Sequence, residues 1–187
     1  MSNTDTIIYL IILLVLFLFS GSTTCQAAND TNTLANAIKK GDLAKVQLLV
    51  EGGVDVNATK SYALVSDVSM LAIACDKGQY EVAKYLIESG ADVNNGTPVY
   101  WAALSNHPEI VKLLIEKGAN VNKSCGSLYP LMGAIKNTES VRILLEAGAN
   151  PNLEDCFGHT ALWFANVNGK TEAAQLIRQY GGIVTNP

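Results

Sequence analysis

Charge is scarce in this chain: 16% of its 187 residues are Asp, Glu, Lys or Arg. The 13 basic side chains are scattered among 17 acidic ones, for a net charge of −4, so no cationic stripe exists to track a phosphate backbone. That composition argues against nucleic acid as a partner. Histidine is scarcer still, with His107 and His159 alone. Nucleophilic catalysis needs a nucleophile, a base and an orienting group within reach, and both histidines have a structural explanation. His107 sits in a turn between two helical segments, and His159 immediately precedes Thr160, a residue placed to cap a helix. None of the 15 glycines stands in a phosphate-cradling or dinucleotide-binding run. Cys156 and His159 are spaced as two metal ligands, but a structural zinc site takes four and no second pair accompanies them. The neighbouring carboxylates Glu154 and Asp155 fall in an arm expected to be solvated. No enzyme activity, cofactor or metal is expected.

Long apolar runs are also missing, with one exception. Residues 7–19, IIYLIILLVLFLF, are unbroken and apolar, and SGSTTCQAA follows. The run is shorter than the roughly 20 residues that span a bilayer and fits the apolar region of an export signal. Small residues at Thr23 and Cys25, or at Cys25 and Ala27, suit cleavage after Cys25 or Ala27. The expectation is a periplasmic or secreted chain with no membrane attachment once the signal is removed. The first six residues, MSNTDT, carry no Lys or Arg, whereas Lys39, Lys40 and Lys45 follow the run. By the positive-inside rule that asymmetry favours the alternative, an uncleaved anchor over residues 7–22 that leaves the remainder in the cytoplasm. Lipid attachment at Cys25 ranks last, because Ser22, Thr23 and Thr24 make a poor recognition site.

Beyond the N-terminus the chain repeats itself. Residues 108–122, PEIVKLLIEKGANVN, return as YEVAKYLIESGADVN (80–94), TESVRILLEAGANPN (138–152), LAKVQLLVEGGVDVN (43–57) and, degraded, TEAAQLIRQYGGIVT (171–185). Apolar residues fall at helical spacing in each copy, as with Ile110, Val111, Leu113, Leu114 and Ile115. Each run halts at Gly53, Gly90, Gly118 or Gly148, where a helix end calls for left-handed backbone, and an Asp/Asn-x-Asn turn follows. A unit of roughly 30 residues cannot close its own core and must stack on copies of itself, so the spacing predicts a solenoid.

Upstream of each long helix lies a shorter one. Thr97-Pro98-Val99-Tyr100-Trp101-Ala102-Ala103 and Thr160-Ala161-Leu162-Trp163-Phe164-Ala165 resemble the T-P-L-H-x-A-A signature of ankyrin repeats. Thr can cap the helix, Pro suits its first position, and small Ala residues let neighbouring helices approach. The resemblance covers about residues 33–182. It implies an all-α ankyrin-repeat solenoid of stacked helix-turn-helix units with short β-hairpin fingers. The expected organisation is a signal or anchor (1–27), a linker (28–32) and a repeat domain (33–187). Within that domain lie a cap over 33–57 and repeats over about 58–94, 95–122, 123–152 and 153–185.

Three local departures stand out in the sequence. The first arm, 54–68, is several residues longer than the pattern and includes Tyr62, Leu64 and Val65, expected to pack back on the stack, with contact to a partner as the alternative. The second arm is cut almost to a turn at Asn95 and Gly96, and Asn106 takes the left-handed position between two helices. The third repeat loses about two residues between its helices near Asn137.

Ankyrin stacks bind proteins on their finger tips and short-helix face, which implies an unidentified protein partner held by a monomer. The implied contact residues are Tyr62, Asp67, Asp76, Lys77, Tyr100, Ser105, Asn106, Lys136, Glu154, Asp155, Phe157, Trp163 and Asn166. Tyr and Trp supply large contact area with a polar handle. For Tyr100 and Trp163 a core role competes with a surface one, whereas Trp101 and Phe164 read as core. Cys125 and Cys156 occupy nearly equivalent arm positions in adjacent repeats. A bridge needs Cα atoms within about 7 Å, while stacked repeats lie roughly a helix diameter of 10 Å apart, so two free thiols are expected and a disulfide is the alternative. That pair also carries the alternative of a thiol-redox protein. Cys75, on an Ala-rich helix, reads as a small buried hydrophobe. Of the sequons at Asn29, Asn57, Asn95 and Asn122, the last three arise because the repeat itself places Asn there.

Overall fold

The computed structural model describes residues 30–62 and 65–185. The apolar N-terminal run, its cleavage or anchoring, the Asn29 sequon, Leu64 and the side chains of Tyr62 and Val65 lie outside the described residues.

Helix α1 covers 30–40 and is followed by α2 (Leu43–Glu51). The first arm forms an antiparallel hairpin, β1 (Thr59–Tyr62) and β2 (Val65–Ser69), with Thr59 opposite Ser69 and an irregularity between Lys60 and Tyr62. Pairs of helices then alternate short and long: α3 (Met70–Asp76) with α4 (Tyr80–Glu88), and α5 (Pro98–Leu104) with α6 (Pro108–Glu116). After α7 (Pro130–Gly133) comes a 3₁₀ turn (Ala134–Lys136) and α8 (Thr138–Glu146), then α9 (Ala161–Val167) with α10 (Thr171–Gln179). Short helices pack on short (α3 on α5, α5 on α7, α7 on α9) and long on long (α2 on α4, α4 on α6, α6 on α8, α8 on α10). This is an all-α solenoid with one two-stranded hairpin among the described residues. Among the described residues no helix is long and apolar enough to cross a membrane.

Burial explains the two rows. Met70 to Cys75 are all buried on α3, as are Pro98 to Ala103 on α5, because a short helix is sandwiched between its neighbours on several sides. The long helices bury one stripe each, for instance Val82, Ala83 and Leu86 on α4 and Ile110, Val111, Leu113 and Leu114 on α6, with charge on the other face. Small side chains such as Ala72, Ala102 and Ala134 set the close approach of the short row.

The long helices α2, α4, α6 and α8 end in the same way. Gly90 (φ +91°) turns the chain, and Asp92 Oδ1 accepts from the Asn94 amide at 2.8 Å to close an Asx turn. Asp55, Asn120 and Asn150 do the same for Asn57, Asn122 and Asn152. The second Asx residue reaches into the following unit. Asn57 accepts from the Asp92 amide and donates to the Gly90 carbonyl; Asn122 does so with Asn150 and Gly148, and Asn152 with Ile183 and Gly181. Asn94 likewise accepts from the Asn120 amide at 2.7 Å. These asparagines are inter-repeat straps, a role the sequence pattern alone did not disclose.

The turns between helices interlock too. An added Cβ at Gly78 would lie 2.3 Å from the His107 ring, so the histidine of one repeat seats on the glycine of the preceding one. Gln79 seats on Gly41 in the same manner. Asn106 takes the left-handed position (φ +67°), as expected, and its Oδ1 accepts from Asn137 Nδ2 at 2.6 Å. In the third repeat only Asn137 separates the 3₁₀ turn from α8, where three residues do the job in the other full repeats (Lys77 to Gln79, for example). The tightened backbone is the visible consequence of the two-residue loss.

One expected cap is absent. Thr160 behaves as the pattern requires, its Oγ1 accepting from the Trp163 amide at 3.4 Å. Thr97 makes no side-chain capping bond, and its backbone is left-handed (φ +53°, ψ 55°) where a capping residue is extended. At the C-terminus, Ile183 binds Asn152 and Thr160, and the Thr185 hydroxyl donates to the Gly158 carbonyl, so the tail closes the last finger as a following repeat would.

Candidate partner-binding face

The fingers and short helices place the candidate residues in four groups. The best formed is the tip of the last finger. Asp155 Oδ1 accepts from the amides of Phe157 and His159, both at 2.8 Å, and its Oδ2 lies 3.3 Å from His159 Nδ1. Burial alone would push the Asp155 carboxyl up; the two amides and the His159 ring outweigh it and hold it below the ordinary aspartate value. The fixed turn presents Phe157, which is 70% exposed. Behind it His159 lies flat on Trp163, with ring centroids 3.7 Å apart, and Phe164 meets Trp163 edge-on at 5.1 Å. Phe157 and His159 are 6.0 Å apart. The result is an aromatic platform on a rigid turn, with Glu154 exposed beside it.

Asp155 is therefore a positioning residue. Its side chain is only 5% exposed, which leaves little for a partner to touch. Trp163 is half-buried, with the His159 ring stacked on it. His159 and Phe164 belong to the platform although sequence reasoning gave them structural roles; the spacing of His159 and Trp163 was the available signal.

The second group lies between α3 and α5. Ser105 donates to Asp76 Oδ1 at 2.6 Å, and Asp76 Oδ2 pairs with Lys77 at 3.0 Å. Tyr100, proposed as a contact, is 7% exposed and stands edge-on to Trp101. It is core, because α5 is covered on both sides by α3 and α7. Burial, with the Cys125 sulfur nearby, raises its phenol.

The third group surrounds the shortened turn. Lys136 lines a depression of about 340 Å³ together with Thr138 and residues Gly169 to Ala173. Asn166 accepts from Arg178 at 3.1 Å at the open end of the stack. The fourth group is Asp67, exposed on β2, in a smaller cleft with Thr97 and Cys125.

Cys125 is partly buried, Cys156 is exposed and Cys75 is buried; all three thiols are free, so the disulfide alternative is not realised. Burial raises the Cys75 thiol strongly, and the neighbouring Asp76 carboxylate adds to it. Among the described residues no group of three potential metal ligands converges.

Stacked helix pairs joined by Asx turns and a finger face define a repeat solenoid of the interaction type. The chain belongs to the ankyrin repeats: the family described as "Ankyrin repeats (3 copies)" matches over residues 9–96, 34–125 and 100–186. Such repeats are in general protein–protein interaction modules. No curated protein matches the chain.

Proposed function

We propose that this chain is an exported, non-catalytic interaction module that works as a monomer and holds one protein partner on its concave finger and short-helix face. The observation that carries the reading is the platform at the last finger. A large apolar ring, Phe157, is held out in water by a turn whose own hydrogen bonds are complete, and stacked aromatics support it. A solvated aromatic on a pre-organised base is what an interface hot spot requires, since little ordering entropy remains to be lost on binding.

Capture with the full chain from its native compartment tests the reading. A protein partner should co-purify with the wild type, and Phe157→Ser should reduce its recovery at least tenfold without changing Tm. Equal recovery by the two forms, or no partner at all, sinks the proposal.

Export rests on the length of the 7–19 run and the small residues after it. The charge asymmetry around that run favours a second reading, a membrane-tethered cytoplasmic adaptor or an effector directed at a host cell. Intact mass from the native source separates them: loss of about the first 25 to 27 residues supports export, and a full-length mass supports the tether. A thiol-redox role for Cys125 and Cys156 is the least supported, and a reversible bond on oxidant titration would be needed to revive it.

A further inference from the structure

The second finger is missing, and something remains in its place. The first arm rises as the β1–β2 hairpin and the third as a loop bridged between Cys125 and Leu128, but the second turns back at once through Gly96. Between its neighbours lies a cleft of about 160 Å³, lined by Asp67 and Val68 of β2, Gly96 and Thr97 of the cut turn, and Ser124 and Cys125 of the third finger.

Two of these residues other than glycine are held in left-handed backbone, Asp67 at φ +59° and Thr97 at φ +53°. Asp tolerates that region, whereas a β-branched residue resists it, and such strain concentrates where a surface is shaped for a ligand. Thr97 occupies the position at which Thr160 caps its helix, yet it makes no cap, and it is one of the residues that line the cleft. The Asp67 carboxylate forms no ion pair among the described residues. Lys123, the nearest lysine along the third finger, is committed to the Asn94 carbonyl at 2.5 Å.

We infer that this cleft is a subsite for one basic side chain, Lys or Arg, carried by an extended segment of a protein partner. The inference rests on the reading that the finger face binds a protein. Asp67 supplies the counter-charge, and the hydroxyls of Thr97 and Ser124 accept the remaining N–H donors. Gly96 places no side chain in the opening. The net charge of −4 favours approach of a cationic segment.

The test uses two blocked pentapeptides, Gly-Ser-Arg-Ser-Gly and Gly-Ser-Glu-Ser-Gly, titrated into the isotope-labelled full chain while its backbone amides are followed by NMR. The Arg peptide should move the amides of Val68, Thr97 and Cys125 saturably, and the Glu peptide should not. Asp67→Asn is the informative variant, because Asn keeps the left-handed backbone and removes only the charge. It should weaken the Arg peptide about fivefold. Unchanged affinity in Asp67→Asn, shifts centred elsewhere, or equal shifts with the Glu peptide overturn the assignment. The wild type at low and high salt gives a second measure free of any folding defect: affinity should fall with salt, and salt-independent binding also overturns it. Neither titration needs the natural partner, so a failed subsite leaves the Phe157 capture result standing, and a failed capture leaves these titrations interpretable.

Discussion

Asn122 holds Asn150 across the boundary between two repeats: its Oδ1 accepts from the Asn150 amide at 2.8 Å while its Nδ2 donates to the Gly148 carbonyl at 3.1 Å. One side chain thus serves a donor and an acceptor that the helix end would otherwise leave to solvent. Asn122→Ala should lower stability by about 1 kcal/mol, since both partners are exposed enough for water to replace part of the loss. A urea titration would register this as an earlier midpoint with an unchanged slope.

The two threonines of the short-helix motif should respond differently to the same change. Thr160→Ala removes a cap and the bond to the Ile183 carbonyl and should cost about 1–2 kcal/mol. Thr97→Ala removes no cap and takes a β-branch out of left-handed backbone, so its effect should stay under about 0.5 kcal/mol. Thermal melts of the two variants side by side decide the matter; equal losses would contradict the structural distinction.

Thiol reactivity should follow burial. Cys156 is exposed and should alkylate first, with Cys125 more slowly, whereas Cys75 should stay unmodified until the chain unfolds. Its burial keeps the thiol protonated as well as covered. Mass spectrometry of the natively alkylated protein should find at most two modified cysteines among residues 30–185; modification of Cys75 under native conditions would mean that α3 opens readily.

The last finger should loosen in acid. The Asp155 carboxyl titrates below its ordinary value in the fold, so its stabilising contribution is complete above the ordinary aspartate value of about 3.9 and is lost as pH falls through the lower folded value. Asp155→Asn should therefore be less stable than the wild type at neutral pH, and the gap should close at low pH. A constant gap would show that geometry, and not charge, is what the carboxylate supplies.

The repeat, its helices and its stops were legible because they depend on local chemistry. Apolar spacing in KLLIEKG fixes a helix and its buried stripe, and Gly118 ends it, whatever surrounds them. The loss of two residues near Asn137 and the shortness of the second arm could likewise be counted. What could not be read was the use of a side chain by the neighbouring repeat. The second Asn of each turn looked like part of a stop, but its side-chain bonds run to residues some 26 to 35 positions away.

The sequence by itself determined a stack of helix pairs, because period, caps and glycines act over a few residues. Only the tertiary structure decided which members of identical motifs became core or surface. Tyr100 and Trp163 stand at the same position in their short helices, yet Tyr100 is covered on α5 by α3 and α7, while Trp163 on the last short helix has a neighbouring short helix, α7, on one side alone. Thr97 and Thr160 share one motif, and the cut second arm forces the first into left-handed backbone while the second caps its helix. Burial and strain are set by what the next repeat brings, and that is a property of the stack.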